Sequence, residues 1–413
     1  MNDCWGAEMR LLLIARCPPY PLYLGDRLIV YHLARELHAR GWQIDLLALH
    51  SGADDPALTP DARRAYEGFF ARLTLIAEPP RTPAQILRRL LSPGARFPHS
   101  AQESWSSALW EAVSERVRSA AYDAVHVFGG VQVYDVFGAL GGHEAVITPY
   151  ESYSLYLRRQ IAAVRGERPL HAVALSMQRW IARAYEGFMF TPYARAVVVS
   201  EQDAAELRGI LPTLRIEVIA NGVDLPAAQT TEGGRDPLLL LFTGNFAYAP
   251  NIDAAQFLAQ VLLPQVRAQF PKAHLALVGS NPPEAVRALA NAHVEVTGSV
   301  PDLTPWLARA AVYVCPLRFG AGIKNKVLEA LAHGCAVAAT PLSADGIAAR
   351  HEEELLIATP DTMSAAVIRL LRDPTLRQRL GAAGRALVAT RYTWAQVAQA
   401  YEQLYGAARR SEE

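Results

Sequence analysis

"AAVYVCPLRFGAGIKNKVLEALAHGCAVAATP", residues 310–341, decides how the rest of the chain is read. Two short apolar runs, AAVYVCPL (310–317) and CAVAATP (335–341), flank a glycine loop that runs straight into a helix. Strand, turn, helix and strand form the crossover unit of a parallel sheet. Upstream the same alternation continues through PLLLLFTGN (237–245), AHLALVGS (273–280) and VEVTGSV (294–300). An earlier series begins with RLLLIA (10–15) and continues through QIDLLAL (43–49), AVHVF, AVIT and AVVVS, which closes near Ser200. RLIVYHLARELHARG supplies its first helix, with Ile29, Leu33 and Leu37 on one face and Gly41 as the stop. The stretch from Ser51 to Ser107 reads as short helices and loops, and TTEGGRD (230–236) marks a boundary. The expectation is α/β with two Rossmann-like doubly wound parallel-sheet domains, 1–225 and 226–390, facing a cleft. A C-terminal helix over 391–413, with Trp394, Val397, Tyr401 and Leu404 at helical spacing, packs back toward the first domain.

Composition narrows the function classes. A chain of 413 residues, 51% apolar and 19% charged, has enough material for two globular cores. Zero formal net charge argues against wholesale nucleic-acid binding. Cys4, Cys17, Cys315 and Cys335 lack the spacing of a zinc site or a disulfide framework. No run approaches the roughly 20 apolar residues of a membrane span, and the first residues do not read as a signal peptide. The expected location is therefore cytoplasmic.

The chemistry concentrates where strands end. Residues 318–324 open a helix, so their amides and the helix dipole favour an anion, and Gly320 and Gly322 permit close approach. Lys324 and Glu329 stand about 7.5 Å apart along that helix, the span from a pyrophosphate to the ribose of one nucleotide. Lys326 and Glu329 share a face, pairing a cation for phosphate with an acid for ribose hydroxyls. The competing reading is an exposed ion pair contributing about 0–1 kcal/mol. Gly244 and Asn245, in the turn after the first strand of the second half, are expected to join the donor-binding loops, or simply lead into an Asn-capped helix. NGVD (221–224) reads as a turn, and Asp26 in YLGDR as an N-cap beside a permissive Gly25. His126 and Glu151 are placed at strand ends facing the cleft, where a structural role competes with a catalytic one.

Five segments in this order, LLLIARCPPYPLYLGDRLIVYHLARELHARG, VVVSEQDAAEL, VIANGVDL, FTGNFAYAPNIDAAQFL and GAGIKNKVLEALAHG, resemble family 4 glycosyltransferases of the GT-B fold, in the exopolysaccharide-building branch. The resemblance runs from about Arg10 to Tyr405. It implies an N-terminal acceptor-binding domain and a C-terminal domain that binds a nucleoside diphosphate sugar. It also implies hexosyl-type transfer with retention of configuration to a glycan or lipid-linked glycan acceptor, usually without a metal or other cofactor. By the same resemblance, Glu329 holds the ribose, and the amides of Gly322, Ile323 and Lys324 surround the diphosphate. Val300 lies at the base, and Gly25 and Asp26 close over the phosphates. Gly279, Arg318 and Lys326 join the donor-binding set, and Lys324, Glu151 and His126 are the catalytic candidates. The chain departs from the family at Ala321, where a second glutamate is common, and at Asn245, Phe246 and Tyr248, which replace an Arg and Lys loop. Two alternatives stand beside transfer: a nucleotide-sugar 2-epimerase and a non-catalytic nucleotide-sugar binder. Arg158, Arg159, Arg165, Arg168, Arg179 and Arg183, set among apolar residues, suggest peripheral contact with anionic membrane on its inner face, or else a solvated helical face.

Overall fold

The computed structural model describes residues 9–22, 25–80, 82, 98–130, 132–164, 166, 169–226, 234–320 and 322–412. The chain divides into two compact units. The first comprises Met1–Leu155, Met177–Ile219 and Trp394–Glu413, and the second Tyr156–Ser176 and Ala220–Thr393.

Among the described residues of the first unit, seven parallel strands are formed: β1 (Arg10–Ala15), β2 (Gln43–His50), β3 (Arg72–Ala77), β4 (Ala124–Phe128), β5 (Ala145–Tyr150), β6 (Arg195–Val198) and β7 (Arg215–Val218). Their order is β3-β2-β1-β4-β5-β6-β7, so the winding reverses between β1 and β4. The central strands are apolar almost throughout because helices cover both faces of the sheet. One layer holds Ile29, Leu33 and Leu37 of the Gly25–Ala39 helix together with Trp394, Val397, Tyr401 and Tyr405 of the Trp394–Glu412 helix. The other holds Leu109, Trp110 and Val113 of the Ser107–Ser119 helix. The Gly25–Ala39 helix stops before Gly41, whose φ of 90° suits a residue without a Cβ.

This packing corrects the reading of His126. The residue sits in the middle of β4, fully buried, not at a strand end. Its Nδ1 meets the Tyr405 hydroxyl at 2.7 Å, its Nε2 meets the Thr148 hydroxyl at 2.7 Å, and its ring stacks on Phe128. Burial holds its pKa well below the ordinary histidine value, so it stays neutral. A neutral imidazole with both nitrogens used inside the core has no route to a substrate, and its role is to tie the C-terminal helix to the sheet.

The second unit repeats the plan with β8 (Leu239–Thr243), β9 (His274–Val278), β10 (Val294–Gly298), β11 (Val312–Cys315), β12 (Ala336–Ala339) and β13 (Leu356–Ile357). All pairs are parallel and the order is β10-β9-β8-β11-β12-β13, which places the reversal between β8 and β11. The stretch from Ser51 to Ser107, read as helices and loops, contains β3, a half-exposed edge strand. Part of that stretch, residues 83–97, lies outside the described residues, as do Cys4 and residues 230–233 of TTEGGRD.

Candidate donor site of the second unit

In a doubly wound sheet the carboxyl ends of the two strands at the reversal splay their loops apart and leave room for a ligand. Here those strands are β8 and β11. Gly244–Tyr248 follows β8, and residues 316–324 follow β11 and lead into the Asn325–Ala332 helix. That helix buries Val327, Leu328, Ala330, Leu331 and Ala332, leaving Lys326 and Glu329 half-buried on its other side. Helical spacing thus separates the packing face from the polar one.

The glycines make the close approaches possible. A Cβ at Gly279, which has φ of 153°, would collide with the Gly244 carbonyl oxygen. A Cβ at Gly244 would come within 2.6 Å of the Lys326 Nζ and 2.9 Å of the Asn251 Nδ2. Lys326 therefore lies directly over the turn after β8. Its Nζ donates to Asn251 Oδ1 at 2.7 Å and stands 4.5 Å from the centre of the Phe242 ring. Asn251 in turn donates to the Asn245 carbonyl at 2.7 Å. Among the described residues no carboxylate forms an ion pair with Lys326.

Although Lys326 is only half-buried as a residue, its ammonium is desolvated, which brings its pKa from the ordinary lysine value down to about 8; Cys315 and Glu329 partly offset this. Burial pushes the Glu329 carboxyl in the opposite direction, upward, with Lys326 opposing. Its carboxylate has no hydrogen bond or ion pair among the described residues, so the competing reading, an exposed ion pair with Lys326, is not formed. Lys324 is buried as the helix N-cap residue, with its ammonium donating to the Gly322 carbonyl. Gly322 has φ of 67° and Ile323 is buried. The Arg318 guanidinium grips both oxygens of Asp253, donating from Nε at 2.8 Å and from Nη2, so its charge is already engaged.

The other candidates fall into distinct settings. Asn245 does not cap the Ala249–Phe257 helix, whose N-cap is Tyr248; instead its Oδ1 accepts from the Ala247 amide at 2.9 Å, a local Asx turn. Val300 lies two residues past β10, half-buried. Ala321 is outside the described residues. In the first unit Gly25 opens its helix, and Asp26 lies inside the first turn, not at the N-cap. The buried Asp26 carboxylate accepts from Arg16 Nε at 2.5 Å, so its charge is spent on Arg16. Glu151 follows β5, half-buried, directly after Tyr150 with φ of 65°.

Several residues that build the site escaped sequence reasoning. Asn221 donates to the Asn325 Oδ1 at 2.8 Å, so NGVD anchors the first residue of the Asn325–Ala332 helix instead of serving only as a turn. Arg159 donates to the Gly320 carbonyl at 2.8 Å and to Asp345 at 2.6 Å, pinning the glycine loop. Arg179 and Arg183 both reach Glu206, at 2.8 and 3.0 Å. Three of the six arginines expected to face lipid are thus satisfied by protein carboxylates, and Arg165 and Arg168 lie outside the described residues.

The Lys326 setting carries a pH dependence. An anionic ligand raises the pKa of a neighbouring ammonium, so binding between about pH 8 and the higher bound value takes up a proton. Affinity for a nucleoside diphosphate should therefore fall as pH rises past about 8. Calorimetry in two buffers of different ionisation enthalpy should show proton uptake near that pH; a flat affinity from pH 7 to 10 would exclude Lys326 from the anion site.

Comparison with known proteins assigns both units. Residues 28–226 match the model described as Glycosyltransferase Family 4, and residues 237–373 match the one described as Glycosyl transferases group 1. No curated protein matches the chain by sequence. Among solved structures, sucrose-phosphate synthase from Thermosynechococcus elongatus is similar over 97% of this chain and 100% of its own, at 20% identity and a TM-score of 0.71. A glycosyltransferase from Rickettsia africae ESF-5 covers 97% of this chain and 98% of its own, at 12% identity and a TM-score of 0.66. Anabaena HepE in complex with UDP covers 97% and 100%, at 12% identity and a TM-score of 0.66. The architecture is GT-B. Two consecutive family matches on two parallel-sheet units make the chain a glycosyltransferase of that fold.

Proposed function

We propose that the protein is a retaining, hexosyl-type glycosyltransferase that takes its sugar from a nucleoside diphosphate donor. The acceptor is a glycan or lipid-linked glycan in polysaccharide or cell-envelope biosynthesis. The observation that carries this reading is a half-buried carboxylate, Glu329, without a described partner, one helical turn from the ammonium of Lys326 at the strand reversal of the second sheet. The carboxylate accepts the ribose hydroxyls; Lys326, Lys324 and the amides of Gly322 to Lys324 receive the diphosphate. In this reading residues 226–390 hold the donor, residues 1–225 the acceptor, and 391–413 fasten the chain end to the first domain.

Transfer breaks the bond between the anomeric carbon and the diphosphate oxygen while the acceptor hydroxyl attacks from the same face. The leaving phosphate oxygen takes the hydroxyl proton. Fixed cations and amides stabilise the charge that develops on the diphosphate. Glu151 is assigned to orienting the acceptor hydroxyl. Structures of HepE holding UDP, UDP with glucose, or UDP-glucose, and of Staphylococcus aureus TarM with UDP and alpha-GlcNAc-glycerol, support starting with uridine donors.

The test is release of nucleoside diphosphate from a panel of nucleotide sugars, with and without glycan acceptor and with EDTA. Acceptor-dependent release that survives EDTA is expected, because the diphosphate is met by lysines and helix amides. Among the described residues no group of three or more His, Cys, Asp or Glu gathers in metal-binding geometry. Donor interconversion without acceptor would instead indicate an epimerase, and binding without release a non-catalytic binder. Turnover lost to EDTA and restored by Mg²⁺ or Mn²⁺ would contradict the metal-free step.

A further inference from the structure

The Pro169–Phe190 helix packs one side inward through Ala172, Leu175, Ala182, Met189 and Phe190. Its other side is also apolar and nothing described covers it. Leu170 is 86% exposed, Val173 64%, Met177 66%, Trp180 72% and Ile181 49%. At 100° per residue these five side chains fall within an arc of about 100°, a single continuous stripe. They are five of the nine large hydrophobic residues that stand exposed among the described residues, so the exposure is concentrated and not scattered. From Pro169 to Tyr185 the sequence contains no acidic residue.

We infer that this stripe lies in the interfacial layer of a lipid bilayer. A second copy is the main competing occupant. The stripe offers on the order of 600 Å² of apolar surface, comparable with the apolar share of the roughly 800 Å² each partner contributes to a stable dimer, so its chemistry and not its area selects the occupant. A row of aliphatic side chains with one tryptophan suits the boundary between acyl chains and head groups. The acid-free run from Pro169 to Tyr185, with His171 exposed within it, tolerates anionic head groups. No described helix is long and apolar enough to cross a membrane, so the mode is burial of one helix face.

Attachment is therefore carried by apolar area, since Arg159, Arg179 and Arg183 are engaged with Asp345 and Glu206. The inference deepens the proposed function by naming the surface that would keep the protein beside a lipid-linked acceptor, and rests on that reading only for its purpose. Vesicle binding needs no turnover, so failure of one is read separately from failure of the other.

The experiment is flotation of the full chain with phosphatidylcholine vesicles, with and without phosphatidylglycerol. The protein should float with both, and its partition should change less than about threefold between about 0.1 and 0.5 M salt. Trp180→Ser combined with Met177→Ser should lower the partition at least about tenfold, whereas Trp180→Phe should retain it. These positions are exposed, so thermal unfolding and nucleoside diphosphate binding should match the parent protein. No flotation would overturn the inference. So would flotation confined to anionic vesicles and abolished by salt, or a stable dimer in solution dispersed by the same double substitution.

Discussion

Lys326→Ala is expected to lower turnover by about 10²- to 10³-fold while changing donor KM far less, the pattern of a lost preorganised donor to a developing charge. The expectation follows from where the ammonium stands. It is held over the Gly244 turn by Asn251, it faces the Phe242 ring, and no described carboxylate pairs with it. An ammonium kept desolvated pays for that position unless an anion arrives, and the diphosphate leaving group carries more charge in the transition state than in the bound donor. Lys324→Ala should also lower the rate, but part of its effect should appear as a loosened loop, because Lys324 ties back to the Gly322 carbonyl. Arg318 should not compensate while it holds Asp253. Since Lys326→Ala leaves Asn251 Oδ1 without its donor, Lys326→Met, which keeps the stem, separates loss of charge from loss of packing. Steady-state kinetics and thermal unfolding on both variants decide the matter: near-normal turnover in either folded protein would move the charge-stabilising role elsewhere.

The fold was legible because parallel strands covered on both faces are written as unbroken apolar runs. RLLLIA, AVHVF and PLLLLFTGN each coincide with a strand for that reason. The strands missed were those lacking that signature. β3 is a half-exposed edge, β7 alternates exposed and buried residues over only Arg215–Val218, and β13 has two residues. The site was legible in part. Gly244, Lys326 and the loop before the Asn325–Ala332 helix could be placed from the strand–glycine–helix order alone. Asn251 could not, because its partner Lys326 is 75 residues away in sequence, and an asparagine inside a helix gives no local signal of that contact. Arg159 was misassigned for the same reason: a run of arginines looks like a solvent face until Asp345 and the Gly320 carbonyl are brought to it. Lone titratable residues were the least readable. His126 and Asp26 owe their roles to Tyr405, Thr148 and Arg16, none of which spacing could supply.

Glu329→Ala should reduce affinity for the nucleoside diphosphate tenfold or more, since each lost hydrogen bond to a charged partner costs about 1.5–3 kcal/mol. The same substitution should leave thermal stability unchanged or slightly raised. A carboxyl whose pKa is pushed upward by burial, and which has no described partner, is a polar group held at a cost to the folded state. Removing it relieves that cost in the empty protein and forfeits the ligand contact in the loaded one, the opposite signs expected of a residue placed for binding. A structural acid behaves otherwise: cutting it away leaves its former partners unpaired, so stability falls and affinity follows only through misfolding. Glu329→Gln adds a graded case, because an amide keeps an acceptor oxygen for one ribose hydroxyl but not the charge, and its affinity should fall between parent and alanine variant. Calorimetry with the nucleoside diphosphate and thermal unfolding of the three proteins provide the comparison. Equal affinities would take the ribose role from Glu329 and with it the observation on which the donor site rests; lowered stability with proportionally lowered affinity would make the carboxyl part of the scaffold.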